Sequence, residues 1–258
     1  MSAVLVERLA SRRAALLERI EAACGRAGRD PATVELVAVS KTVPVDRVRA
    51  AMKAGFATFG ENRVQEAAGK IAELGGPGGS TPGGPAESGG AVATGHPEDG
   101  PRWHLVGPLQ SNKARRAVEL FDVVETVDSL ALARRLDRLV EELGRPELPV
   151  LVEVNVDGDP SKSGYQVDAI EADLPGLLSL THVRLAGLMT VGRLAADPEA
   201  ARPTFRSLRE LSERLRGLDA GVGDALSMGM TDDFEVAVEE GATLVRLGRA
   251  IFGPRRRV

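Results

Sequence analysis

The chain has 258 residues, a hydrophobic content of 43% and a formal net charge of -4 at pH 7. This length and composition predict one domain with a large core, and the acidic balance argues against nucleic-acid binding. Charged residues interrupt the apolar residues of the opening segment, so neither a signal peptide nor a membrane span is expected. The single cysteine, Cys24, has no disulfide partner and favours a reducing, cytoplasmic location.

Strand-like and helix-like segments alternate along most of the chain. After an opening segment with helical spacing, apolar runs typical of strands occur at residues 34–40, 57–59, 103–106, 123–126, 150–156, 184–188, 225–227 and 244–247. Amphipathic helical patterns lie between several of them, at residues 45–54, 130–143 and 203–218. Eight such units predict an α/β protein with a single (β/α)8 TIM-like barrel and an extra N-terminal helix, in one domain spanning residues 1–258.

Residues 75–100 interrupt this alternation with a segment rich in glycine, proline and serine. Such a composition buries too little apolar surface to offset the entropy of ordering. The segment is predicted to be a disordered surface loop inserted into the barrel; the alternative is a lid over the functional site.

Lys41 stands where the first apolar run ends and a turn begins. A partly desolvated lysine at such a position favours the neutral amine, which can form a Schiff base with an aldehyde. The alternative is a solvated surface charge.

The loops after the last two strand-like runs carry groups suited to an anion. Ser227 offers a hydroxyl, Gly229 allows close approach of a ligand to the backbone, and the N–H groups of Gly248 and Arg249 can face a phosphate. Thr231 is expected to act as the N-cap of the following helix rather than as part of this site.

Arg246 lies inside an apolar strand pattern, where its charge requires specific partners. A structural ion pair would satisfy it. An arginine placed against a pyridine nitrogen would instead keep that nitrogen unprotonated and weaken the ring as an electron sink.

Six motifs occur in order along the chain: VAVSKT at 37–42, FGENRVQEA at 59–67, WHLVGPLQSNK at 103–113, SKSGY at 161–165, GLMT at 187–190 and LSMGMTDDFEVAVEEGATLVRLGRAIFG at 226–253. Together they resemble the pyridoxal phosphate homeostasis protein family, which is related in fold to the N-terminal barrel of alanine racemase. The resemblance spans nearly the whole chain outside the glycine-rich segment.

The resemblance implies a fold-type III barrel that binds pyridoxal 5'-phosphate (PLP). Lys41 matches the Schiff-base lysine, Arg246 the arginine facing the pyridine nitrogen, and Ser227, Gly248 and Arg249 the phosphate-binding positions. Four further residues fall where family members line the cofactor pocket: Asn62, Met189, Met228 and Gly229.

Two departures from the family pattern are the insertion at 75–100 and Pro108, where some members have histidine. Neither falls on a proposed cofactor contact. His104 is expected to be a core histidine rather than a catalytic base.

The family resemblance implies a PLP carrier or regulator in vitamin B6 homeostasis, without strong catalytic turnover, although weak PLP-dependent side activity stays open. PLP-dependent apoenzymes would be its partners, and neither a catalytic residue nor a metal is assigned. A PLP-dependent amino-acid racemase is the alternative; the only tyrosine, Tyr165, lies in the SKSGY motif, and no second racemase domain is expected. A phosphate-binding barrel without a Schiff base is a third possibility. A barrel of this size can bury its own core, which favours a monomer.

Overall fold

The computed structural model describes residues 3–74, 100–192 and 196–254 and contains a closed barrel of parallel strands. The strands, in chain order and in barrel order, are β1 Glu35–Val39, β2 Thr58–Glu61, β3 Arg102–Leu105, β4 Val123–Val127, β5 Leu148–Glu153, β6 Val183–Met189, β7 Ala225–Ser227 and β8 Leu244–Leu247. β1 pairs with β8 and closes the barrel. The predicted barrel is therefore confirmed.

Helices follow the strands around the outside, as expected for this fold. They are α1 Ala3–Ala27, α2 Val45–Lys53, α3 Val64–Glu73, α4 Ala114–Leu120, α5 Leu130–Glu142, α6 Val167–Leu178, α7 Arg202–Leu218, α8 Phe234–Glu239 and α9 Arg249–Phe252. Short 3-10 turns precede α4, α7 and β1. The predicted loop at 75–100 lies outside the described residues except for Gly100, so its disorder stays a prediction.

The apolar spacing of each helix places one face on the barrel. In α5, the buried residues recur every three or four positions: Leu132, Ala133, Leu136, Leu139 and Val140. The helix begins after Ser129, whose Oγ accepts a hydrogen bond from the N–H of Leu132 at 3.3 Å. Local capping and the apolar stripe thus agree on where the helix starts and which side it buries.

The extra N-terminal helix, α1, packs along the outside of the barrel against α2, α8 and α9. It buries Leu9, Leu16 and Ile20. Arg12 Nη1 donates to the carbonyl oxygen of Ile251 at 2.6 Å, which ties α1 to the C-terminal turn. Within the ranges that the structure describes, no helix is both long and apolar enough to cross a membrane.

The barrel register brings several strand ends to one rim. Ala38 in β1 lies opposite Leu247 in β8, and Met189 in β6 lies opposite Ser227 in β7. The residues that follow these strands therefore meet at the carboxyl end of the barrel, where βα loops form the functional sites of such folds.

A register shift in β6 sets the position of this rim. Leu185 pairs with Val150, whereas Gly187 pairs with Leu151, so Ala186 is the extra residue. Gly187 has a φ of 153°, and a Cβ there would lie 2.0 Å from the carbonyl oxygen of Ala225. Only glycine fits this close approach between β6 and β7.

The Gly187→Ala variant is expected to lose roughly 2 kcal/mol or more of unfolding free energy, because it combines backbone strain with overpacking. Gly217→Ala is the matched control, since an added Cβ in α7 meets nothing within 4 Å. Alanine is the better helix former, so the control should be neutral or slightly stabilising. Urea unfolding of both variants measures the difference, and equal midpoints would contradict this account.

Candidate functional site

A cavity of about 430 Å³ opens at the carboxyl end of the barrel. Its wall is formed by Val39, Lys41, Asn62, Val106, Pro108, Thr126, Glu153, Met189, Val191, Asp197, Pro198, Ala201, Met230, Thr231, Asp232, Asp233, Arg246, Gly248 and Arg249. A second cavity, of about 680 Å³, adjoins it and shares Val39, Lys41, Gly248 and Arg249. Lys41 therefore stands on the wall of both.

Six of the nine predicted site residues line the first cavity: Lys41, Asn62, Met189, Arg246, Gly248 and Arg249. They lie at or near the carboxyl ends of β1, β2, β6 and β8. β8, β1 and β2 are neighbours in the barrel, and β7 separates β6 from β8. The structure does not place the other three, Ser227, Met228 and Gly229, on its wall.

The guanidinium of Arg246 forms part of this wall, although the residue is only 6% exposed. Its Nη1 donates to Ser227 Oγ at 2.5 Å, and its Nη2 donates to the carbonyl oxygen of Thr190 at 2.8 Å. Burial lowers the pKa of Arg246, and the charges of Glu125 and Glu153 act against that change. The direct partners of the guanidinium are thus a hydroxyl and a backbone carbonyl oxygen, and the nearby carboxylates compensate its charge without a salt bridge to it among the described residues.

Ser227 is a link in a buried hydrogen-bond chain, not a cavity residue. Its Oγ accepts from Arg246 and donates to Glu125 Oε2 at 2.5 Å. Both the proton and an acceptor site of the hydroxyl are therefore used inside the barrel. This geometry does not support the predicted phosphate contact of Ser227, which instead holds Arg246 in place.

Glu125 and His104 complete this chain. His104 Nδ1 lies 2.6 Å from Glu125 Oε1, and both residues are fully buried. Burial acts to raise the pKa of Glu125, but the hydrogen bond and charge of His104 and the charge of Arg246 outweigh it, so the pKa is lowered. His104 is a core residue, as predicted, although its Nε2 finds no hydrogen-bond partner among the described residues.

Met228 and Gly229 serve packing. Met228 is fully buried in the hydrophobic core. Gly229 has a φ of 91°, and a Cβ there would lie 2.5 Å from the Cβ of Ala237 in α8. Glycine is needed here so that the loop after β7 can pack on α8, rather than for approach of a ligand.

Thr231 faces the cavity, and the prediction that it caps α8 was wrong. The helix begins at Phe234 after Asp233, whose Oδ1 accepts from the N–H of Met230 at 2.6 Å. Thr231 Oγ1 instead accepts from the N–H of Ala250, in α9, at 3.3 Å. Thr231 shares the cavity wall with Gly248 and Arg249. Helix-boundary patterns in the sequence carry no signal for this contact between the loop after β7 and α9.

Acidic residues also reach the cavity wall. Asp232 forms an ion pair with the side chain of Arg249, which offsets one carboxylate. Burial raises the pKa of Asp233 and of Glu153, with Arg246 acting in the opposite direction on both. The cavity is therefore less negative than its residue types suggest.

Pro108 lines the cavity, although it is not one of the predicted cofactor contacts. Proline removes a backbone donor and supplies an apolar surface. Its position makes it part of the wall together with Val106 and Met189.

The cavity combines three kinds of group. Lys41 brings an amine, Arg246 brings a guanidinium, and Thr231 brings a hydroxyl that contacts α9 next to Gly248 and Arg249. Such a set suits a ligand with a carbonyl group, a hydrogen-bond acceptor and an anionic group. Within the described ranges, no cluster of three or more side chains suited to a metal ion is found.

Comparison with known proteins agrees with this chemistry. Residues 12–256 match the family described as "Alanine racemase, N-terminal domain". A "Pyridoxal phosphate homeostasis protein" of Pseudomonas aeruginosa is 44% identical over 238 residues, covering 92% of this chain and 91% of the relative. The Escherichia coli K12 protein of the same name is 38% identical over 244 residues, covering 92% and 93%.

Solved structures show the same fold. PipY of Synechococcus elongatus PCC7942 without PLP has a TM-score of 0.77 at 39% identity, covering 95% of this chain and 100% of that one. PipY with PLP bound has a TM-score of 0.75 at 36% identity, with the same coverage. An alanine racemase of Clostridium difficile 630 has a TM-score of 0.66 at 14% identity, covering 97% of this chain and 57% of that one, which shows the fold alone. The chain belongs to the pyridoxal phosphate homeostasis protein family.

Proposed function

We propose that this protein binds PLP in the 430 Å³ cavity, holds it on Lys41 and takes part in vitamin B6 homeostasis as a carrier or regulator. The observation that carries the proposal is that Lys41, Arg246 and the Thr231–Gly248–Arg249 group line one cavity. The names of the relatives and the PLP-bound PipY structure support it.

The residues present fit the cofactor. The cavity volume falls in the range of about 300–1,000 Å³ typical of small-molecule sites. Bound PLP supplies an aldehyde that an amine can hold as a Schiff base and a pyridine ring that can withdraw electrons. Lys41 Nζ must lose its proton to serve as that amine, while Thr231 Oγ1 and the N–H groups at Gly248 and Arg249 would hold the phosphate.

Arg246 would face the pyridine nitrogen as a hydrogen-bond donor. Its guanidinium is held by Ser227 and Thr190, and its charge is compensated by Glu125. A guanidinium stays protonated and cannot pass a proton to the ring. The ring would therefore remain a weak electron sink, which supports binding and delivery over strong turnover.

Tyr165 does not supply a second base for racemisation. Its hydroxyl donates to Asp173 Oδ2 at 3.0 Å, and the residue is buried away from the cavity wall. Burial and the carboxylate of Asp173 raise its pKa well above the ordinary value. Because it is the only tyrosine of the chain, a tyrosine base would have to come from another molecule.

The proposal also covers the recipients of PLP, the oligomeric state and the cellular compartment. PLP-dependent apoenzymes are the proposed recipients, a cytoplasmic monomer is the proposed form, and the buried, reduced Cys24 is consistent with that compartment.

Lys41→Ala is expected to abolish the covalent PLP adduct. Borohydride reduction followed by peptide mass spectrometry should map the adduct of the wild-type protein to Lys41, with none in the variant. Lys53→Ala, an exposed lysine on α2, is the control and should load normally. An adduct that persists in Lys41→Ala would refute the assignment.

Thr231→Val is expected to weaken PLP binding about ten- to a hundredfold, since a hydrogen bond to a charged phosphate is lost. Binding of pyridoxal, which has no phosphate, should be unchanged. Ser227→Ala should affect both ligands equally, because Ser227 acts through Arg246. Calorimetry with both ligands separates the two roles; a PLP-selective loss in Ser227→Ala instead would return the phosphate contact to that residue.

The PLP-loaded protein is expected to leave the chirality of L- and D-amino acids unchanged over many hours. Chiral chromatography of the amino acids measures this. Alanine is the first substrate to test, because the fold is shared with alanine racemase. Many turnovers per protein molecule would favour the racemase alternative over a carrier.

A further inference from the structure

Lys70, on α3, is a buried lysine outside the cavity wall. It is 7% exposed, and its Nζ lies within hydrogen-bond distance of the carbonyl oxygen of Ser40 at 2.6 Å, Glu61 Oε1 at 2.7 Å and Glu66 Oε1 at 2.7 Å. Each hydrogen of the ammonium group therefore has an acceptor. Buried lysines are rare and are costly to desolvate, so such complete coordination calls for a reason.

The partners of Lys70 converge on the two neighbours of Lys41. Ser40 accepts from Lys70 through its carbonyl oxygen, and its Oγ donates to Glu61 Oε1 at 2.7 Å. On the other side, the N–H of Thr42 donates to Glu66 Oε1 at 2.5 Å. The residue before Lys41 and the residue after it are thus both tied to one cluster, defined here as the Lys70 cluster: Lys70, Glu61 and Glu66.

The turn that carries Lys41 needs such support. The N–H of Val43 donates to the carbonyl oxygen of Ser40 at 2.9 Å, which closes a four-residue turn with Lys41 at its second position. Thr42, at the third position, has a φ of 63°, the left-handed conformation that type II turns require and that glycine normally provides. A β-branched residue there is strained, and it persists only when its surroundings impose it.

We propose that Lys70 is a positioning residue for Lys41: through Glu61 and Glu66 it fixes the turn so that the amine of Lys41 points to the bound aldehyde. This proposal rests on the proposed function. Neither Lys70 nor the two glutamates line the cavity, so their effect passes through the backbone of Ser40 and Thr42. A lysine side chain has four rotatable carbon–carbon bonds. Fixing the backbone at Lys41 therefore reduces the volume that its Nζ can occupy.

A purely structural role would give a different result. Glu61 and Lys70 also join β2 and α3 to the end of β1, and a tie of that kind would stabilise the fold without changing the reaction of Lys41. The two roles separate when the covalent step and the non-covalent binding of PLP are measured independently in folded protein.

The test measures Lys70→Met in two backgrounds, the wild-type protein and Lys41→Ala. The rate of adduct formation, followed by borohydride trapping at saturating PLP, is expected to fall about ten- to a hundredfold in Lys70→Met. In the Lys41→Ala background, where only non-covalent binding remains, Lys70→Met should leave the PLP dissociation constant unchanged. Lys53→Met, which removes an exposed lysine, is the matched control and should load at the wild-type rate.

Glu66 provides a second variant pair, because its side chain is 28% exposed and tolerates substitution better than the buried Lys70. Glu66→Ala removes the acceptor of the Thr42 N–H and is expected to slow adduct formation. Glu66→Gln keeps an acceptor oxygen and should restore most of the rate. This pair keeps the proposal testable if Lys70→Met does not fold.

Three results would overturn the proposal. Adduct formation at the wild-type rate in Lys70→Met and Glu66→Ala would show that the cluster has only a structural role. The same conclusion would follow if Lys70→Met, in the Lys41→Ala background, weakened non-covalent PLP binding as much as it slowed adduct formation. A wild-type protein that forms no adduct at Lys41 would overturn the proposed function and, with it, this one. Loading of the wild type therefore distinguishes the two failures.

Discussion

The burial of the Arg246 guanidinium inside a closed barrel is the constraint on which the site depends. A cation in this position must be compensated by charge and by hydrogen bonds. Ser227, Glu125 and the carbonyl oxygen of Thr190 supply them, and His104 completes the chain behind Glu125. These groups are committed to Arg246, and the groups proposed to bind an anion lie instead at the rim of the barrel.

The rim shows why two features far apart in sequence act together. Lys41 follows β1, and Gly248 follows β8, the strand that closes the barrel against β1. Closure therefore brings the amine next to the start of α9, where Thr231 reaches across from the loop after β7. Lys41, Arg246, Thr231 and Gly248 line one cavity because of the strand order, and no local sequence feature specifies that arrangement.

The sequence indicated site residues most clearly where a charged residue lies within or beside an apolar run. Lys41 at the end of an apolar run and Arg246 within one were recognisable, and both line the cavity. Ser227, predicted to contact phosphate, lies in the buried hydrogen-bond chain, whereas Thr231, predicted to cap α8, lies on the cavity wall. Both carry hydroxyls near the end of β7, and only the packing of α9 on the loop tells them apart. The contacts of Lys70 with Ser40 and Glu61 could not be predicted, because they join α3 to the ends of β1 and β2; only its contact with Glu66 follows from i,i+4 spacing on the helix.

The most direct measurement is a crystal structure of the protein soaked with PLP. The account predicts continuous electron density from Lys41 Nζ to the cofactor, the pyridine nitrogen at Arg246, and the phosphate between Thr231 and the backbone of Gly248 and Arg249. A cofactor bound elsewhere, or bound in this cavity with its phosphate at Ser227 and its ring away from Arg246, would contradict it.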